Sequence, residues 1–141
     1  MSQYLEFVAN HPMLFAFLGA VIALIVATEL RRFTRGYKAI SPTDAVLMMN
    51  HGDTLLLDVR EDGEVRAGMI NGSKHIPLGS LAQRVKELEP YKAKNVIAYC
   101  RSGNHSATAC SVLRKHEFAN VYNLTGGIVA WEGANLPVKK R

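Results

Sequence analysis

The chain has 141 residues with 48% hydrophobic and 21% charged side chains, which allows one ordinary domain plus an appendage but not two full domains. Its net charge of +5 raises the question of nucleic acid, but the Lys and Arg residues are scattered rather than gathered on one aromatic-interleaved face, so a nucleic-acid partner is not expected. Two cysteines, Cys100 and Cys110, are too few for a disulfide scaffold, or for a four-ligand zinc site without two well-placed His partners, and point to a reducing compartment.

Residues 7–28 contain no Asp, Glu, Lys or Arg. As a helix this run reaches roughly 33 Å, enough to cross a hydrocarbon core of about 30 Å. It is apolar on every side, unlike an amphipathic surface helix, and Pro12 suits a first helical turn. A cleavable signal would carry positive charge ahead of the run, where only Glu6 stands; the other alternative is a buried core helix. Arg31, Arg32, Arg35 and Lys38 follow the run, so the positive-inside tendency predicts an outside N-terminus and a cytoplasmic remainder. Residues 1–38 are thus predicted to be anchor and charged connector, and residues 39–141 a folded domain, with the basic tail Lys139, Lys140 and Arg141 left in solvent.

In the domain, Ser41 is placed to N-cap a helix over residues 42–50, with Pro42 at its first position and Asp44 closing a capping box. Leu55, Leu56, Leu57 and Val59 form a continuous apolar run suited to a strand buried on both faces. A short helix over residues 63–67 and a weak strand over residues 74–76, stopped by Pro77, come next. Leu81, Val85 and Leu88 share one face of a predicted helix over residues 81–88. Residues 96–99 make a second buried strand, residues 100–105 a loop, residues 106–116 a helix, Val121 and Tyr122 a last strand, and residues 127–133 a helix carrying Trp131. Strands alternating with helices predict an α/β fold: a mainly parallel sheet with helices on both faces and chemistry beyond the strands' carboxyl ends. Cys100 falls there.

A cysteine between a buried strand and a helix has a definite electrostatic setting. The loop amides can curl into a nest pointing inward, the helix adds its positive end, Gly103 permits the tight curl, and Arg101 adds a cation. These favour the thiolate, which is the nucleophile. The bland alternative is an inert buried cysteine. The run Arg101, Ser102, Gly103, Asn104, His105 and Ser106 is richer in polar donors than a core cysteine needs, which favours the reactive reading.

The segment Cys100-Arg101-Ser102-Gly103-Asn104-His105-Ser106 resembles the active loop of the single-domain rhodaneses, here with an N-terminal anchor of the bacterial inner-membrane type. Three further segments resemble that family's motifs in order: Leu57-Asp58-Val59-Arg60-Glu61, the run from Gly68 to Pro77, and Leu124-Thr125-Gly126-Gly127 with Trp131. The likeness covers about residues 40–136. Met69 replaces a usual His, Asn71 a usual Pro, and His105 stands where many relatives have Arg. The resemblance implies a rhodanese-like fold with a five-stranded sheet. It implies a sulfurtransferase in which Cys100 takes a sulfane sulfur from a small donor such as thiosulfate and passes it to a thiol or cyanide. Residues 101–106 would bind the anion, and Asp58 and Arg60 would hold the loop from behind, a structural salt bridge being the plainer role for that pair. No cofactor or metal is implied, since His51, His75 and His116 lack ligand spacing. Residues 7–28 would contact the bilayer, and a membrane-protein partner is compatible with that placement. Cys110 and Trp131 read as core. A Cys-dependent phosphatase would need Arg at position 106, where Ser stands. A tethered interaction module using the same fold is the remaining alternative.

Overall fold

The computed structural model describes residues 1–140; Arg141 of the basic tail, and the side chain of Arg32 among the flanking cations, lie outside the described residues. The chain divides into two compact units, Met1–Arg35 and Gly36–Arg141.

The first unit is two helices, α1 (Ser2–Asn10) and α2 (Pro12–Thr34). The predicted uninterrupted run from Phe7 breaks at His11, whose φ of −128° and ψ of 55° are not helical. Pro12 causes the break, because its ring crowds the preceding residue out of the helical region while its own missing N–H costs nothing at a first helical position. The stretch long and apolar enough to cross a membrane is therefore Pro12–Arg31, with a mean hydropathy of 2.4 and none of it buried. Its 20 residues correspond to about 30 Å of helix, the thickness of a hydrocarbon core.

The second unit runs β1 (Lys38–Ile40), α3 (Pro42–His51), β2 (Thr54–Asp58), α4 (Asp62–Ala67), β3 (Met69–Ile70), β4 (Lys74–His75) and α5 (Leu78–Arg84). A 3-10 turn follows over Val85–Tyr91, then β5 (Asn95–Tyr99), α6 (Asn104–Lys115), β6 (Asn120–Leu124), α7 (Gly127–Gly133) and β7 (Val138–Lys139). The main sheet has five strands in the order β1-β6-β5-β2-β4, all parallel, and β3 pairs antiparallel with β7 apart from it. The expected α/β architecture is present, and β5 lies at its centre.

Alternation along the strands sorts the core onto two faces. Leu55, Leu57, Val96, Ala98 and Cys100 pack with Leu81, Val85, Leu88 and Leu113, under α5, the 3-10 turn and α6. Leu56, Ile97, Tyr99 and Leu124 pack with Ala45, Ile128 and Trp131, under α3 and α7. Ser41 caps α3 by accepting from the Asp44 amide at 3.1 Å.

Several elements differ from the sequence expectation, among them the pair β3 and β7, which the sequence reading leaves as loop and solvated tail. The strand β1, which starts at the last residue of the predicted connector, was not expected; only Ile40 of its three residues is buried, so it has no apolar run to announce it. The helix predicted over residues 81–88 is α5 continued as a 3-10 turn, because Pro90 lacks an N–H and its ring crowds the carbonyl four residues back. The helix α6 begins at Asn104, two residues before the predicted start.

Candidate active site

The central strand β5 delivers Cys100 to the sheet's carboxyl edge, and Gly103, with φ of +102°, turns the chain into α6. The Gly103 carbonyl already accepts from the Ala107 amide at 3.2 Å, so Asn104, His105 and Ser106 form the first helical turn rather than a loop. First-turn amides have no partner within the helix and are available to an anion.

The sulfur sits inside this arc. The Gly103 amide donates to Sγ at 3.0 Å, and the Ser106 hydroxyl lies 3.4 Å away. Burial pushes the Cys100 thiol up, but hydrogen bonds from the Ser106 hydroxyl and from the amides of Ser106, Gly103 and Ser102 outweigh it, so the net shift is downward. Neutral dipoles aimed at one atom thus favour the thiolate. Arg101, expected to share in this, is exposed, as are Ser102, Asn104 and His105; Ser106 is buried. These four make the rim, and Cys100 the floor.

Cys100 is only 1% exposed, less accessible than the sequence reading expects. A reactant could reach the sulfur only if the exposed rim residues moved aside. The amides nevertheless turn inward.

The carbonyls of the same loop explain that orientation, through residues singled out only as part of a motif. The Ile128 amide donates to the Cys100 carbonyl at 2.9 Å and the Val129 amide to the Arg101 carbonyl at 3.2 Å. The N-terminus of α7 therefore holds the loop's oxygens outward and leaves its N–H groups facing the sulfur. Approach this close requires Gly127: a Cβ there would collide with the Cys100 and Arg101 carbonyls, the latter at 2.5 Å, and its φ is +58°. Sequence reasoning misses Asn123 altogether. From β6 it accepts from Ser106 Oγ at 2.6 Å and donates to the Gly103 carbonyl at 3.0 Å. A lone polar residue between Tyr122 and Leu124 carries no sequence signal for this.

Asp58 and Arg60 are buried and meet as a two-pronged ion pair, Nη2 to Oδ2 at 2.7 Å and Nε to Oδ1 at 3.0 Å. Arg60 Nη2 also donates to the Gly68 carbonyl at 2.6 Å, and the His75 ring bonds the Arg60 carbonyl at 2.7 Å. These bonds run to the turn after α4 and to β4, not to the cysteine loop the pair was expected to hold. The neighbouring segment that carries Met69 and Asn71 is tied in by Tyr99, whose hydroxyl accepts from the Ile70 amide at 3.1 Å and lies 2.9 Å from Ser73 Oγ. Cys110 is core: burial pushes its thiol up to about 12, and its Sγ faces the Tyr122 carbonyl at 3.5 Å. Trp131 is buried, with its Nε1 donating to the Pro137 carbonyl at 3.0 Å.

Chemically, such an arrangement can activate a sulfur nucleophile beneath amides able to hold an anion. Phosphoryl transfer by a cysteine enzyme would need a guanidinium at position 106, where a buried serine stands.

Comparison with known proteins agrees with this chemistry. Residues 41–134 match the family model of the rhodanese-like domain. The uncharacterised Escherichia coli (strain K12) protein YibN is 32% identical over 139 residues, covering 98% of this chain and 97% of its own length. A sulfurtransferase of Allochromatium vinosum is 38% identical over 86 residues, which are 61% of this chain and 78% of that protein. Among solved structures, a rhodanese-related protein from Thermoplasma volcanium superposes with a TM-score of 0.67 at 31% identity, over 74% of this chain and 100% of that one. With Cys100 at the end of the central strand and its motifs in order along the chain, this protein belongs to the rhodanese-like family, and its relatives support a sulfurtransferase-like role.

Proposed function

We propose that the chain moves sulfane sulfur through a persulfide on Cys100, from a donor such as thiosulfate to a thiol or cyanide, at a membrane surface. The observation that carries this reading is the inward hydrogen bonding on one sulfur, from the Gly103 amide and beside the Ser106 hydroxyl. The Cys100 thiolate attacks the outer sulfur of thiosulfate; the sulfur–sulfur bond breaks and sulfite leaves with its electron pair. An acceptor thiolate or cyanide then attacks the terminal sulfur and expels the Cys100 thiolate. Two displacements through one covalent intermediate predict ping-pong kinetics. The amides of residues 101–106 would hold the anionic terminal sulfur, while Arg101 and His105 at the rim would draw in the donor.

The helix within Pro12–Arg31 supports a bilayer anchor, and the cations after it support an outside N-terminus with the domain on the cytoplasmic side of an inner membrane. Sulfur would then be delivered close to the bilayer, to a small thiol or to a membrane protein.

The near-complete burial of Cys100 favours a second reading, a tethered interaction module. Full-length protein in detergent, given thiosulfate, should gain the mass of one sulfur atom on the Cys100 peptide, and Cys100→Ser should lose all transfer. A wild-type chain that gains no sulfur, with Cys100→Ser keeping any partner it binds, would overturn the enzymatic reading in favour of the module.

A further inference from the structure

Asn123 holds two parts of the cup at once, and its orientation is determined. The Gly103 carbonyl can only accept, so Nδ2 must face it, and Oδ1 must face Ser106. The Ser106 hydroxyl has a single proton, and at 2.6 Å from Oδ1 that proton is given to Asn123. What Ser106 then presents to the resting thiol's Sγ, 3.4 Å away, is a lone pair that accepts from S–H; the hydroxyl can donate to a sulfur anion only by giving up its bond to Asn123. We propose that Asn123 is a positioning residue that sets the ionisation of Cys100 by competing with the sulfur for the Ser106 proton.

The resting thiol satisfies the whole chain: S–H to Ser106 Oγ, Oγ–H to Asn123 Oδ1, and Nδ2–H to the Gly103 carbonyl. When Cys100 loses its proton to solvent, Ser106 turns its hydrogen to the sulfur and Oδ1 loses its donor. After sulfur loading, Sγ carries two covalent bonds and no charge, the charge sits on the outer sulfur, and the Ser106 proton returns to Asn123. The relay thus disfavours the free thiolate relative to both the resting thiol and the loaded persulfide. This moderates the dipoles that lower the thiol without cancelling them, and protects an idle sulfur from oxidants, which attack the thiolate.

The inference rests on Cys100 as the sulfur carrier, but its test needs no sulfur donor. Full-length protein in detergent is titrated by thiolate absorbance, with Cys100 identified by alkylation and mass spectrometry. Asn123→Leu, similar in size but no acceptor, should lower the ionisation midpoint by about one pH unit, the size expected when a hydrogen bond stops opposing a charge. Asn123→Asp, a stronger acceptor with its own negative charge, should raise it. In a Ser106→Ala background Asn123→Leu should no longer lower it. If Asn123 merely braces Gly103, Asn123→Leu loosens the loop and raises the midpoint with or without Ser106, and the proposal falls. It falls equally if Asn123→Leu leaves the midpoint unmoved. Asn123→Ala carries the same expected sign and replaces Asn123→Leu should circular dichroism show that variant unfolded. A chain that shows these shifts yet transfers no sulfur would refute the enzymatic reading alone.

Discussion

Gly127→Ala tests how the cup is built. The substitution adds one methyl group in a backbone conformation with φ of +58°, which costs a residue with a side chain about 1–2 kcal/mol. That methyl would meet two backbone carbonyls, of Cys100 and Arg101, and neither can swing aside as a long side chain could. Relief requires α7 and the loop to separate, stretching the bonds from Ile128 to Cys100 at 2.9 Å and from Val129 to Arg101 at 3.2 Å. Each is worth about 1 kcal/mol, so the expected loss of stability is roughly 3–4 kcal/mol. Gly133→Ala supplies the control: it lies at the end of the same helix, where an added methyl would meet nothing within 4 Å. It should be neutral or stabilising by up to about 1 kcal/mol. Denaturant unfolding and sulfur transfer measured on both variants decide the matter. Once the carbonyls are released, the amides lose their inward aim, so Gly127→Ala should also raise the Cys100 ionisation midpoint and slow transfer. A Gly127→Ala protein as stable and as active as Gly133→Ala would refute the account of how the loop is held.

Other outcomes follow from the same geometry. Because the folded state depresses the Cys100 thiol, its contribution to stability is present above the ordinary value of 9.0 and is lost as pH falls through the depressed one. Transfer rate should fall over the same acid limb, and Ser106→Ala should move that limb upward in a pH–rate profile. Asp58→Leu would leave the Arg60 guanidinium buried without its carboxylate, and should cost about 3–5 kcal/mol in denaturant unfolding while the midpoint of Cys100 stays where it was. Tyr99→Phe orphans the Ile70 amide, and should cost about 1–3 kcal/mol by the same measurement. Alkylation near neutral pH followed by mass spectrometry should label Cys100 and spare Cys110, whose thiol is pushed up to about 12.

Much of the fold was legible because its signals are local. Continuous apolar runs at Leu55–Leu57 and Val96–Ala98 announce strands covered on both faces, and the spacing of Leu81, Val85 and Leu88 identifies a buried face even though the backbone tightens there into a 3-10 turn. The position of Cys100 at a strand's end, one turn before a helix, was legible too. The strand β1 was not, since an edge strand with one buried residue needs no pattern. Nor was the reach of Asp58 and Arg60, whose hydrogen bonds depend on where Gly68 and His75 come to lie.

The sequence by itself determined the apolar helix, the alternating α/β order and the place of Cys100 between strand and helix, because periodicity, composition and chain neighbours decide those. Only the tertiary structure decided how that sulfur is tuned and how far it is covered. The residues that hold its loop, Asn123, Gly127 and Ile128, lie more than twenty positions away along the chain, and they reach that loop only when β6 and α7 pack beside β5. Hydrogen bonds of this kind depend on distance and angle in space, which no local pattern of residues encodes.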